Sequence, residues 1–231
     1  METQNFTQEQ VRAEQASFIT KVYGWMTLAL MLTGIVARWT ADSEAVMQFI
    51  FGTPYLFMGL LLVELLSVGY LSARVNSISA NAATSIFVAY SVLNGITLSL
   101  IFVLYTASSI SSTFFIAAGT FAVMSIYGYT TKRDLTSIGN LAFMALIGLI
   151  IASVVNYFWQ NETLYWITTY AGVLIFVALI AYDTQKIKSI NMAGNEGTDL
   201  ERKAAIMGAL ALYLDFINLF LMLLRLFGRR K

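Results

Sequence analysis

The chain has 231 residues, 58% of them hydrophobic and only 12% charged, with a net charge of +1. A soluble domain of this length carries roughly twice that charged fraction, and so balanced a charge offers nucleic acid no electrostatic footprint. Cys and His are both absent, which excludes disulfides, thiol nucleophiles, imidazole bases and the usual zinc and haem ligands. Proton chemistry is left to Asp, Glu, Lys or Tyr, and any metal site must be built of oxygen.

The opening METQNFTQEQVRAEQASFITK is polar. It lacks the basic start, short apolar core and small-residue cleavage site of a signal peptide, so residues 1–20 read as a polar tail ahead of an uncleaved first helix. Seven apolar segments follow, at about 22–37, 55–71, 83–105, 113–129, 141–158, 166–182 and 204–227. With their interfacial aromatics, each approaches the 17 to 25 residues of a membrane span. In lipid these must be helices, because an open strand edge cannot satisfy its backbone there. The expected class is therefore an all-α membrane protein: a seven-helix transmembrane domain over 21–228 and a short basic tail at 229–231. Pro54, the sole proline, is expected to start the second helix, where its missing N–H costs nothing. The longest loop is expected at 184–203.

Orientation follows from Lys and Arg. With the N-terminus inside, the cytoplasmic segments hold nine: Arg12, Lys21, Arg74, Lys132, Arg133, Lys186, Lys188, Arg202 and Lys203. The opposite side holds five: Arg38, Arg225, Arg229, Arg230 and Lys231. The bias favours a cytoplasmic N-terminus. The tail RLFGRRK conflicts with it, since seven spans place that tail outside. Six spans with a re-entrant piece are the alternative to the seven preferred.

Within the spans, polar residues are few. Ala204, Gly208, Ala211, Asp215, Asn218, Met222 and Arg225 recur at alternating spacings of four and three, which places them on one stripe of the last helix. Small residues permit close helix approach and polar ones seek partners, so Asp215 should face inward. Asp183, in YDTQKI, ends the sixth segment. The second helix adds Glu64, Ser67 and Arg74, and the third adds Thr84, Ser91 and Asn94. Ionisable groups in hydrocarbon are functional candidates by default, because a lipid-facing charge costs several kcal/mol. Glu64 and Asp215 read alternatively as structural groups satisfied by Arg74, hydroxyls or helix ends. Arg74 reads equally as a snorkelling anchor, and Lys132 and Arg133 most simply hold a short loop at the cytoplasmic surface. A close Asp183–Asp215 pair would titrate in coupled steps with one proton shared, a two-state element biased by pH. Its oxygens would suit a hard cation such as calcium, although sequence alone does not dictate a direct contact.

The segments KVYGWMTLALMLTGIVA, AYSVLNGITLSLIF, MSIYGYTTKRDLTSIGN, MALIGLIIASVVNYF, YDTQKI and LYLDFINLF, in this order, resemble the Bax inhibitor family in its bacterial branch. The resemblance implies a bundle whose last helix is surrounded by the other six. It implies a pH-sensitive calcium leak with Asp183 and Asp215 as sensor, Arg74 as alternative gating partner, and Glu64 along an ion path to which Asn94 and Asn218 are candidates. Calcium and protons would then be its ions, with no cofactor required. It also keeps open a non-conducting regulator that binds other membrane proteins, through modulation of a membrane-bound protease or suppression of cell death. The short loops and bacterial-type motifs point to a bacterial cytoplasmic membrane.

An enzyme is not expected. Two aspartates on neighbouring helices suit an intramembrane aspartyl protease, but that family's Gly-x-Gly-Asp is missing, since Asp215 follows Leu-Tyr-Leu, and so is its Pro-Ala-Leu. A retinal photoreceptor would need a Lys inside the last helix for its Schiff base, and none is there.

Overall fold

The first helix starts at a capping box: the Gln10 N–H donates to the Thr7 hydroxyl, and the Thr7 N–H donates to the Gln10 side chain at 2.9 Å. The computed structural model describes residues 7–190 and 194–231. From the capping box α1 (Gln8–Asp42) runs unbroken for 35 residues. Residues 8–20, read from the sequence as a tail, are therefore helical, and Phe18 is fully buried. The cap and an unbroken run of good helix formers outweigh the polarity that suggested a tail.

A short helix that hydropathy did not separate, α2 (Glu44–Gly52), follows after the Ser43 cap. Pro54 does not start the next helix. It lies in the turn before α3 (Leu56–Arg74), with the Leu56 N–H donating to the Thr53 carbonyl at 3.3 Å and Tyr55 at a φ of 65°. The third span is two pieces, α4 (Ala80–Leu98) and α5 (Leu100–Leu104), broken at Ser99, whose buried hydroxyl donates to the Ile96 carbonyl at 2.6 Å. Then come α6 (Ala107–Thr130), α7 (Thr136–Trp159), α8 (Glu162–Ser189) and α9 (Asp199–Phe227). Both helices flanking the supposed 184–203 loop are longer than hydropathy indicated, so the connection shrinks to 190–198. Seven helices, with α4 and α5 taken as one, are long and apolar enough to cross a membrane.

Among the described residues the chain divides into two compact units. One takes the chain to Leu104 together with Ile190–Tyr213, and the other takes Tyr105–Ser189 with Leu214–Lys231. In the first, α4 packs against α1 and α3. Gly95 permits the α1 contact, because a Cβ there would lie 2.8 Å from both the Thr33 carbonyl and Val36 Cβ. In the second, α8 packs against α6 and α7, and a Cβ on Gly128 would collide with the Ala181 carbonyl. Helix α9 contributes to both units and is the most buried span: 72% of its most apolar stretch is buried, against 11–39% for the others.

Within the second unit the basic tail is tied down. The Thr106 N–H donates to the Arg229 carbonyl at 3.1 Å, and the Arg229 N–H donates to the Ser109 hydroxyl at 3.0 Å. The Arg225 guanidinium lies 5.7 Å from the centre of the Tyr165 ring, and the Tyr105 hydroxyl holds Arg230 more firmly protonated than usual. The end of α9 thus sits with the starts of α6 and α8, as four full crossings in alternation require. This favours seven spans over six with a re-entrant piece, and aromatic partners account for basic residues at the end where the charge bias did not expect them.

Candidate functional site

Helix α8 carries Asp183 in its last two turns, and α9 carries Asp215 on the stripe that the sequence assigns to its inward face. Both belong to the second unit. Asp215 is only 5% exposed and Asp183 is half-buried. Their carboxyl groups are near enough to act on each other. Asp215 Oδ2 is buried without a hydrogen-bond partner. Lys186, one turn along α8, acts on Asp183 electrostatically, and its ammonium lies 5.8 Å from the centre of the Tyr182 ring. Two ionised carboxylates repel and have no proton to share, so a hydrogen bond between them requires one proton on the pair. The arrangement can hold one proton and, on losing it, presents two negative charges to each other or to a cation.

Glu64, on α3, belongs to a separate polar chain in the first unit. It is 8% exposed; it accepts from the Thr97 hydroxyl at 2.8 Å and, at a long 3.5 Å, from the Asn94 amide. Asn94 Oδ1 accepts from the Tyr213 hydroxyl at 3.0 Å, Tyr213 meets the Thr33 hydroxyl at 2.7 Å, and Thr33 donates to the Ser91 carbonyl at 2.9 Å. Four helices, α3, α4, α9 and α1, are linked by this chain. Tyr213 is fully buried, with the rings of Phe87 and Tyr90 packed edge-on at 5.9 and 5.8 Å.

The structure therefore brings Asp183 to Asp215 and Glu64 to Asn94. Asn218 lies in the other unit from Glu64 and donates to the Leu214 carbonyl of its own helix at 2.8 Å. Arg74 is exposed in the last turn of α3, where its backbone carbonyl accepts from Ser77 and Ile78. Ser67, Thr84 and Ser91 donate back to their own helices. Sequence reasoning missed Thr97, Tyr213 and Thr33. Thr97 lies three residues beyond Asn94, and that spacing was the available signal. Among the described residues no cluster of three or more carboxylates gathers, so a cation at Asp183 and Asp215 would meet two acidic groups and no cage.

The family model described as inhibitor of apoptosis-promoting Bax1 matches residues 15–231. The chain belongs to the Bax inhibitor family. It is 52% identical to the inner membrane protein YbhL of Escherichia coli K12 over 223 residues, covering 96% of this chain and 95% of that protein. It is 43% identical to an uncharacterised protein of Borreliella burgdorferi, over 93% and 92% of the two chains. An uncharacterised membrane protein of Streptococcus pyogenes is 36% identical over 97% and 96%. With seven apolar helices and a relative named for the inner membrane, this Bax inhibitor family member is a multi-pass protein of the bacterial inner membrane.

Proposed function

We propose that this Bax inhibitor family protein is a pH-sensitive cation leak, with calcium as its principal ion, whose closed state is held by the proton shared between Asp183 and Asp215. The observation that supports this reading is the proximity of the two carboxyl groups, with Asp215 buried and its Oδ2 unpartnered. A proton on the pair ties α8 to α9. Its loss leaves like charges that, at 4 Å and an effective dielectric of 20, repel by about 4 kcal/mol. That is enough to bias two packings of the helices, or to draw in a cation as a new partner. Calcium is cargo here: two carboxylates offer a stop on a path rather than the six to eight oxygens of a storage site.

The test is calcium efflux from loaded vesicles containing the purified protein, followed across pH. Wild-type protein should raise the flux in a pH-dependent manner, and Asp183→Asn or Asp215→Asn should flatten that dependence. Both variants keeping the wild-type profile would sink the assignment. Flux equal to that of protein-free vesicles, with a membrane protein that co-purifies stably, would replace it by the non-conducting regulator.

A further inference from the structure

At one end of the second unit the α6–α7 loop and the last turns of α8 line an open hollow of about 320 Å³ that includes neither Asp183 nor Asp215. Its lining includes Lys132, Arg133, Lys186, Thr136, Tyr182 and Gln185. The walls are built. Gln185 clamps the loop from both sides, its Oε1 accepting from the Leu135 N–H and its Nε2 donating to the Arg133 carbonyl, each at 2.8 Å. Lys188 donates to the Tyr129 carbonyl at 2.6 Å and fixes the end of α6. The charge in the cavity is lopsided. Lys132 and Arg133 are exposed and make no ion pair among the described residues, and Lys186 brings a third cation.

The one acid in the lining, Asp134, is already engaged: its Oδ1 accepts from the Thr136 N–H at 2.8 Å. Hydrogen bonds from the Thr136 side chain and backbone hold its carboxyl below the usual carboxylate range. Leu135 at the N-cap position offers no side-chain cap, and the Asp134 carboxylate takes that place on the first N–H of α7, so the positive field of the cavity rests on Lys132, Arg133 and Lys186. One turn into the span, Ile138 and Leu141 on α7 are exposed.

We infer that this cavity binds the anionic phosphate of a phospholipid headgroup or of a free phosphate, gripped by Lys132, Arg133 and Lys186 at the start of α7. Three cations converging on a pre-formed hollow at the membrane interface match the chemistry of a phosphate oxyanion. The apolar flank of α7 offers acyl chains a surface, which favours the lipid. Neither Asp183 nor Asp215 touches the phosphate, but Lys186 also acts on Asp183, so Lys132 and Arg133 are the residues that test this site apart from the carboxyl-pair gate.

Native mass spectrometry of the full chain tests it, with phosphatidylglycerol and phosphatidylcholine of matched chains added in turn and inorganic phosphate as the soluble competitor. Phosphatidylglycerol should be retained in preference to phosphatidylcholine. Lys132→Gln, Arg133→Gln and Lys186→Gln should each weaken its retention roughly fivefold, while Arg12→Gln, exposed on α1, should leave it unchanged. Displacement by millimolar phosphate would support the anion site with phosphate itself as a ligand, and resistance to phosphate would support the lipid. Lys132 and Arg133 are exposed, so a Lys132→Glu/Arg133→Glu protein should fold and lose the preference entirely. Equal retention of the two lipids by wild-type protein, or unchanged retention by the charge-reversed variant, would overturn the inference.

Discussion

The Tyr213 hydroxyl lies 2.7 Å from the Thr33 hydroxyl and 3.0 Å from Asn94 Oδ1, deep in the first unit, where Tyr213 has no solvent exposure. Thr33 also donates to the Ser91 carbonyl. Two hydroxyl protons thus serve three contacts. Tyr213→Phe removes one of these protons and leaves the Asn94 amide atom that faces it without its partner, and a buried polar atom so orphaned costs about 1–3 kcal/mol. The ring packing against Phe87 and Tyr90 is kept. Thermal unfolding in detergent should therefore drop while the helix content of the folded protein stays the same.

The proton count extends to Glu64. A half-turn of the Asn94 amide would give Tyr213 a donor and turn Asn94 Oδ1 toward Glu64. Every contact is then satisfied when Glu64 itself carries a proton. Glu64→Gln supplies such a donor at any pH, and Glu64→Ala supplies nothing to Thr97 or Asn94. The Gln variant should keep wild-type stability within about 0.5 kcal/mol. The Ala variant should lose about 1–3 kcal/mol. Unfolding curves of the two variants, compared side by side, check the difference.

The number of spans was legible because it rests on hydropathy over about twenty residues within each helix. Asp215 is buried, as its place on a stripe of small residues suggested. Much of the rest of that stripe was misjudged, since Ala204, Ala211, Asn218 and Arg225 lie on the less buried side of α9. The approach of Asp183 to Asp215 is a meeting of two helices that no pattern within one helix dictates. Helix ends were not legible in the same way. Polar residues continue α1 below Val22 and extend α8 to Ser189, since capping and helix propensity, not hydropathy, decide where a helix stops outside lipid. Pro54 was misplaced because a proline fits a turn as readily as a first helical residue, and the Thr53–Leu56 bond favoured the turn. The Glu64 chain was only half legible. Glu64 and Asn94 stand out as polar residues in apolar segments, but Tyr213 and Thr33 are ordinary in such segments, and only packing shows that they meet.

Gly95 and Gly128 each mark a close helix approach in their respective units. A Cβ at 95 would press on the Thr33 carbonyl and Val36, and one at 128 on the Ala181 carbonyl. Backbone cannot rotate away as a side-chain tip can. Gly95→Ala and Gly128→Ala should each destabilise by about 1–3 kcal/mol, despite the usual gain in helix propensity on replacing Gly by Ala. Gly148→Ala, with open space around it, should instead be neutral or slightly stabilising. Melting temperatures of the three variants under one detergent condition decide the comparison.

The Lys21 ammonium reaches Glu201 Oε1 at 2.7 Å, joining α1 to the first turn of α9. The Glu201 side chain is 2% exposed while that of Lys21 is 40% exposed, so the desolvation falls mainly on the acid. Its other oxygen accepts from the Gly197 N–H at 2.8 Å. Lys21→Met therefore strands a buried carboxylate with one backbone donor. Breaking a fully buried pair from one side costs about 3–5 kcal/mol, and water reaching Lys21 should lower that to about 1–3 kcal/mol. Glu201→Gln keeps one acceptor oxygen for the two donors, Lys21 and the Gly197 N–H, and strands no buried charge, so it should cost less. Adding it to Lys21→Met removes the stranded charge, so the double variant should be more stable than Lys21→Met alone. The coupling from a double-mutant cycle in thermal or denaturant unfolding measures this directly, and simple additivity of the two substitutions would show that the pair contributes nothing as a pair.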